Sequence, residues 1–126
     1  MNKKNTYISI GIAVLLILAI WVMYFFNNKP QQPGLLDEFA KCLTEKGSVM
    51  YGAVWCSHCK AEKDRFGSSF QYVNYVECPD NTKLCTDEGI GGFPTWKIGG
   101  VLYEGEQGLQ KLSELSSCPL PEPETK

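Results

Sequence analysis

Two cysteines stand three positions apart in Cys56-Ser57-His58-Cys59. Such a pair can hold a metal, brace a fold, or trade a disulfide with another protein. Bracing is the weakest of these, because a bridge across so short a loop restrains almost no unfolded-chain entropy. Exchange requires a thiolate, since the anion and not the thiol attacks a disulfide sulfur. His58 bears on that requirement. A protonated imidazole beside Cys56 favours the anion, and each pKa unit is worth about 1.4 kcal/mol toward the reduced form. Stabilising the reduced form makes the oxidised pair a stronger oxidant, so His58 points toward donating disulfides. The alternative is an exposed loop histidine with no partner.

Zinc is the rival chemistry. Cys56, Cys59, Cys78 and Cys85 could supply four thiolates, and Cys-x-x-Cys is half of many structural zinc sites. The second pair, however, is separated by six residues and not by two to four. The reading therefore favours exchange, with no metal and no cofactor.

Exchange also needs elements that place the first sulfur correctly. Ser48 to Trp55, SVMYGAVW, is a continuous apolar run of strand length, as expected of a strand covered on both faces. Cys59 to Gly67, CKAEKDRFG, reads as a charged helix stopped by glycine. Cys56 then falls at a helix N-terminus, where unpaired N–H groups and partial positive charge favour a thiolate. From the next turn Cys59 faces the same way and can resolve a mixed disulfide. Around this centre the spacing predicts a helix over 35–47, a second strand over 70–78 and a short helix over 81–89 capped by Asn81 or Asp80. A hairpin over 91–108 turns at Gly99-Gly100, and a last helix covers 109–118 with Leu109, Leu112 and Leu115 inward. A strand-helix-strand unit followed by an antiparallel pair makes a mixed α/β sheet with helices on both faces.

The 126 residues leave room for one small domain, and a net charge of −2 gives no footprint for nucleic acid. Lys3, Lys4 and Lys29 flank the N-terminal apolar segment, while all 14 acidic residues follow it, so the globular part is acidic. Tyr7 to Phe26 carries no charged side chain, and about twenty helical residues span roughly the 30 Å of a bilayer core. Its aromatic end (Trp21, Tyr24, Phe25, Phe26) suits a membrane interface better than a signal-peptide cleavage site. Lys3 and Lys4 hold the N-terminus in the cytoplasm by the positive-inside rule. The expected organisation is a cytoplasmic N-terminus (1–6), a single-pass anchor (7–26), a linker (27–34), an extracytoplasmic domain (35–118) and a flexible tail (119–126). Six cysteines in an oxidising compartment read as disulfides.

YGAVWCSHCKAEKDRF, followed by GFPTW at Gly92 to Trp96, resembles a thioredoxin-fold protein. The segment 39–118 is most similar to the thioredoxin-like domain fused to bacterial vitamin K epoxide reductase homologues, and to its free-standing membrane-anchored relatives. The resemblance implies that Cys56 is the exposed nucleophile and Cys59 the buried resolving cysteine. It makes Pro94 the family's cis-proline, leaving the backbone of Phe93 free to pair with a substrate strand; a cis X–Pro bond costs only about 0.5–1 kcal/mol over trans. Otherwise Pro94 is a strand-edge proline. Trp55, Phe93 and Thr95 then line the substrate groove. Thioredoxins place a buried acid six residues before the first active-site cysteine, and this chain has Met50 there. They also kink the active-site helix with a proline where this chain has Asp64. The proton acceptor for Cys59 is thereby left to Glu62 or water, and neither departure suits a general cytosolic reductase.

A Cys78–Cys85 bridge would close a loop of about eight residues, worth roughly 2.5 kcal/mol. The related fused domains also carry a pair in this region, either as a brace or as a second redox couple. Cys42 and Cys118 remain by elimination; bridging them would contribute about 4.5 kcal/mol to a small core. The expected partners are cysteine-containing secreted proteins, the membrane through the N-terminal helix, and a quinone-linked integral-membrane vitamin K epoxide reductase homologue. The alternatives are a reductase fed by a membrane electron transporter, or a non-enzymatic zinc-binding or interaction module.

Overall fold

The computed structural model of the chain describes residues 3–27 and 34–122. Residues 1–2, most of the expected linker (28–33) and the end of the expected tail (123–126) lie outside the described residues. The chain divides into two units, Met1–Gln32 and Pro33–Lys126.

In the first unit the apolar segment forms one helix, α1 (Lys3–Asn27). Over Tyr7–Phe25 it is long and apolar enough to cross a membrane, which is compatible with a single-pass anchor or with a signal sequence. Trp21 and Phe25, one turn apart, bring their ring centroids to 4.4 Å.

The second unit begins with α2 (Asp37–Glu45), whose buried side Phe39, Ala40 and Leu43 follows the helical period. Then come β1 (Val49–Gly52), α3 (Ser57–Phe66), a 3-10 turn (Gly67–Tyr72), β2 (Tyr75–Glu77) and α4 (Thr82–Asp87). The chain closes with β3 (Thr95–Ile98), β4 (Val101–Glu104) and α5 (Gly108–Ser116). The sheet order is β2-β1-β3-β4, with β1 parallel to β2 and the other pairs antiparallel. Gly99 and Gly100 both take positive φ (58° and 83°), the pairing a tight two-residue hairpin turn requires. This mixed four-stranded sheet with helices on both faces is a thioredoxin-like fold.

Alternation along β1 splits the core. Met50 joins Phe39, Leu43, Phe66, Trp96 and Leu112 on the face covered by α2, α3 and α5. Tyr51 joins Cys78 and Cys85 on the α4 face. Trp96, Phe39, Leu43, Met50 and Leu112 are fully buried, each contributing roughly 1.5–3 kcal/mol. Met50, in the place of the thioredoxin acid, is plain core.

Two expectations need correction. The strand predicted over 70–78 is a strand only at Tyr75–Glu77, because Phe70 to Tyr72 are wound into the 3-10 turn. The Ser69 hydroxyl donates to Asp37 on α2 at 2.7 Å, and the Phe70 ring packs edge-on against Phe66. The long-range Asp37 bond and the local Phe66 contact together override a β-prone sequence. Asn81 does occupy the N-cap of α4, but without a side-chain cap bond; its amide donates back to the Glu77 carbonyl at 2.9 Å.

Candidate active site

β1 ends at Gly52 and the chain enters α3 through Ala53, Val54, Trp55 and Cys56. Cys56 is the N-cap of α3 in extended conformation, and its sulfur accepts the Cys59 N–H at 3.1 Å. A side chain at this position normally offers oxygen to the first-turn amides; here a sulfur does so, and an anionic sulfur accepts such a bond better than a neutral one. The resemblance made Cys56 exposed. The structure leaves it 8% exposed, with its sulfur turned into the first turn of α3. Cys59, one turn further along the same face, is 1% exposed.

The two thiols are therefore unequal. Burial pushes Cys59 up to about 11, and its hydrogen bond with Cys56 adds to this, while a backbone bond from Ala53 and the charge of Lys63 oppose it. At neutral pH Cys59 holds its proton.

Gly52 explains how the second sulfur is accommodated. A Cβ at this position would lie 2.9 Å from the Cys59 sulfur, 3.1 Å from Tyr75 Cε2 and 3.2 Å from the Tyr75 hydroxyl. The missing side chain is the space that sulfur and phenol share. Tyr75 donates its hydroxyl to Glu77 Oε2 at 2.5 Å, and Glu77 Oε1 accepts the Val54 N–H at 2.8 Å, which ties the loop before Cys56 to β2. The Lys63 ammonium sits 3.5 Å from the Tyr75 ring centroid, and the Phe70 ring packs edge-on against the same phenol. Burial, then the Glu77 bond, raises the Tyr75 ionisation far above its usual range.

The remaining expected residues divide between surface and interior. Trp55 is 73% exposed and meets the Phe93 ring edge-on at 6.0 Å, so the two flank the dithiol as an apolar rim. The Phe93–Pro94 peptide bond is cis, and Pro94 is fully buried with its carbonyl accepting the Gly105 N–H at 2.7 Å. Thr95 does not line a groove. It is fully buried and donates its hydroxyl to the Gly92 carbonyl at 2.8 Å, because β3 carries it inward against β1.

His58 has a partner, but a carboxylate and not Cys56: its Nδ1 lies 2.6 Å from Glu106 Oε1. Arg65 bonds the other Glu106 oxygen at 2.7 Å and Glu62 at 2.5 Å. His58, first, and Arg65 hold the Glu106 carboxyl below its ordinary range. Glu62 is fully buried. Its Oε1 accepts Trp96 Nε1 at 3.1 Å and the backbone N–H groups of Gln107 and Gly108 at 3.2 and 3.1 Å. It caps α5 from a neighbouring helix, at a terminus with no side-chain cap of its own. Both its oxygens thus have other partners, and none of them is Cys59.

Cys42–Cys118 and Cys78–Cys85 are both bridged, and Cys56 and Cys59 are free. α2, which carries Cys42, and α5, which ends two residues before Cys118, pack on one face of the sheet. Bridging of Cys78 to Cys85 removes two of the four thiolates that the zinc reading needs. This second disulfide lines a cavity of about 230 Å³ that reaches Phe93.

Sequence reasoning missed Glu106, Arg65, Tyr75 and Glu77 as parts of the site. Tyr75 and Glu77 carried a usable signal, since residues two apart on a strand share a face. Glu106 carried none, because it reaches His58 across 48 positions of sequence.

No family model matches the chain. It is 43% identical over 90 residues to the thiol-disulfide oxidoreductase LTO1 of Arabidopsis thaliana, covering 64% of this chain and 24% of that protein. A protein disulfide-isomerase of Aspergillus oryzae is 31% identical over 71 residues, 49% of this chain and 14% of that one. A thioredoxin domain-containing protein 5 homolog of Drosophila melanogaster is 30% identical over 100 residues, 66% and 24% respectively. The chain spans about a quarter or less of the length of these relatives. The fold, the unequal dithiol and the relatives together support the class of thioredoxin-fold disulfide oxidoreductases.

Proposed function

We propose that this chain is a membrane-anchored, extracytoplasmic thiol–disulfide oxidoreductase that passes disulfides to cysteine-containing secreted proteins. The observation that carries it is the asymmetric pair: a Cys56 sulfur bonded by a helix-start N–H, beside a buried Cys59 that keeps its proton at neutral pH. In the donating direction a substrate thiolate attacks the Cys56 sulfur and Cys59 leaves with two electrons. A second substrate thiolate then releases Cys56, and the substrate departs with a new disulfide. The Trp55–Phe93 rim offers an apolar seat for the substrate, and the Phe93 backbone, ahead of β3, offers an edge for a substrate strand to pair with. Resemblance to domains fused with vitamin K epoxide reductase homologues supports a quinone-linked partner of that kind as the reoxidant. Confinement to one membrane raises that partner's effective concentration.

Cys59→Ser should accumulate mixed disulfides with secreted proteins on non-reducing gels, and Cys56→Ser should lose all exchange. If Cys59→Ser traps nothing while Cys56→Ser matches the parent, the reading is wrong. One observation favours a second reading, a reductase fed by a membrane electron transporter: Glu106, and not Cys56, holds the His58 ring, which weakens its bias toward oxidation. A Cys56–Cys59 potential near thioredoxin's roughly −270 mV would select it.

A further inference from the structure

Cys59 must lose a proton to attack the mixed disulfide, and it lies among groups that resist its ionisation. The acid that thioredoxins use is replaced by Met50, and Glu62 is committed to α5. Around the void above Gly52, the titratable and charged groups are Cys56, Cys59 and Lys63 from the α3 side, and Tyr75 and Glu77 from β2. β1 contributes Gly52, which has no side chain.

We infer that Tyr75 and Glu77 form a proton relay that serves Cys59 during resolution of the mixed disulfide. The Cys59 sulfur and the Tyr75 hydroxyl both close on the place a side chain at Gly52 would take, 2.9 and 3.2 Å from where its Cβ would stand, and the hydroxyl already points its proton at Glu77 Oε2. In resolution, the Cys59–Cys56 bond forms as the Cys56–substrate bond breaks. The dithiol gives two electrons to the substrate sulfur, which leaves as a thiolate. The Cys59 proton passes to the Tyr75 oxygen while the Tyr75 proton passes to Glu77. In the donating direction the same chain runs backward: Glu77 takes up through solvent the proton that the substrate thiol gives up, and passes it by way of Tyr75 to Cys59 as it leaves. Glu77 Oε1 keeps its bond to the Val54 N–H throughout, so the loop before Cys56 stays in place while the other oxygen gains and loses the proton. The Lys63 ammonium over the phenol face opposes any cationic intermediate and favours the anionic end of the chain.

This inference rests on the exchange reading above, and one experiment separates the two. The reduced full chain in detergent is mixed with the disulfide 5,5′-dithiobis(2-nitrobenzoate) in a stopped-flow instrument. The first release of thionitrobenzoate reports attack by Cys56, and the second reports resolution by Cys59. Failure of the first phase in the wild type sinks the exchange reading itself. Given that phase, Tyr75→Phe and Glu77→Gln should each slow the second phase about tenfold or more near pH 7, at the low end of general acid–base effects. The first phase should stay within about twofold, which also shows that the site is folded. As pH rises toward about 11, where Cys59 ionises unaided, the variants should converge on the wild type. An unchanged second phase in either variant, an equal fall in both phases, or a deficit that alkali does not relieve overturns the relay.

Discussion

A single absent methyl group governs the resolving sulfur. Placing one at position 52 by Gly52→Ala puts carbon 2.9 Å from the Cys59 sulfur, closer than real side chains tolerate, and the buried neighbours leave little room to move. The expected outcome is a stalled enzyme: Cys56 still forms mixed disulfides, these persist for longer than in the parent on non-reducing gels, and stability falls by about 1–3 kcal/mol in urea. His58 poses a different question at the same scale, since its partner is the Glu106 carboxylate. A carboxyl whose folded pKa is depressed stabilises the fold above its ordinary value, here 4.5, and that contribution disappears as pH falls through the folded pKa. The stability difference between the wild type and Glu106→Gln should therefore be widest above that pH and close below it, as urea titrations at a series of pH values can show.

Among the elements, α5 depends on α3 for its beginning. Glu62 supplies the acceptors that Gln107 and Gly108 need and holds Trp96 and Arg65 as well. Glu62→Ala leaves the buried Trp96 N–H and the half-buried Gln107 and Gly108 N–H groups without that partner, and we expect a loss of about 3 kcal/mol or more with faster amide exchange at Gln107 and Gly108. Removing both cysteines of the Cys42–Cys118 bridge should cost up to about 4.5 kcal/mol, against about 2.5 for Cys78–Cys85, by denaturant unfolding of paired Cys→Ser variants. These dependencies mark the limit of what the residues disclose in order. The dithiol, its strand and its helix were legible because their signals are local: an apolar run, a glycine stop and two cysteines at one spacing. The winding of Phe70 to Tyr72 was not, because Asp37 holds Ser69 across 32 positions of sequence. Nor was the duty of Glu62, since a glutamate on a charged helix looks solvated until Trp96 and α5 close over it. Thr95 was misplaced for a related reason: a position beside an active-site proline reads as lining, and the register of β3 turns it inward.

For the whole molecule, the two units predict a simple partition. The intact chain should pellet with membranes and resist alkaline carbonate extraction, whereas residues 34–126 should remain in the supernatant with the same thiol reactivity. Equal extraction of both would remove the anchor from the account. The catalytic unit also carries two disulfides that take no part in the proposed exchange cycle. Each disulfide represents two electrons withdrawn from the chain. On the proposed function every fresh copy is therefore first a customer of the trade it later practises, and must be oxidised by some donor before it can serve others. Where older copies are that donor, maturation feeds on its own product, and the population as a whole inherits its working state from the molecules already present.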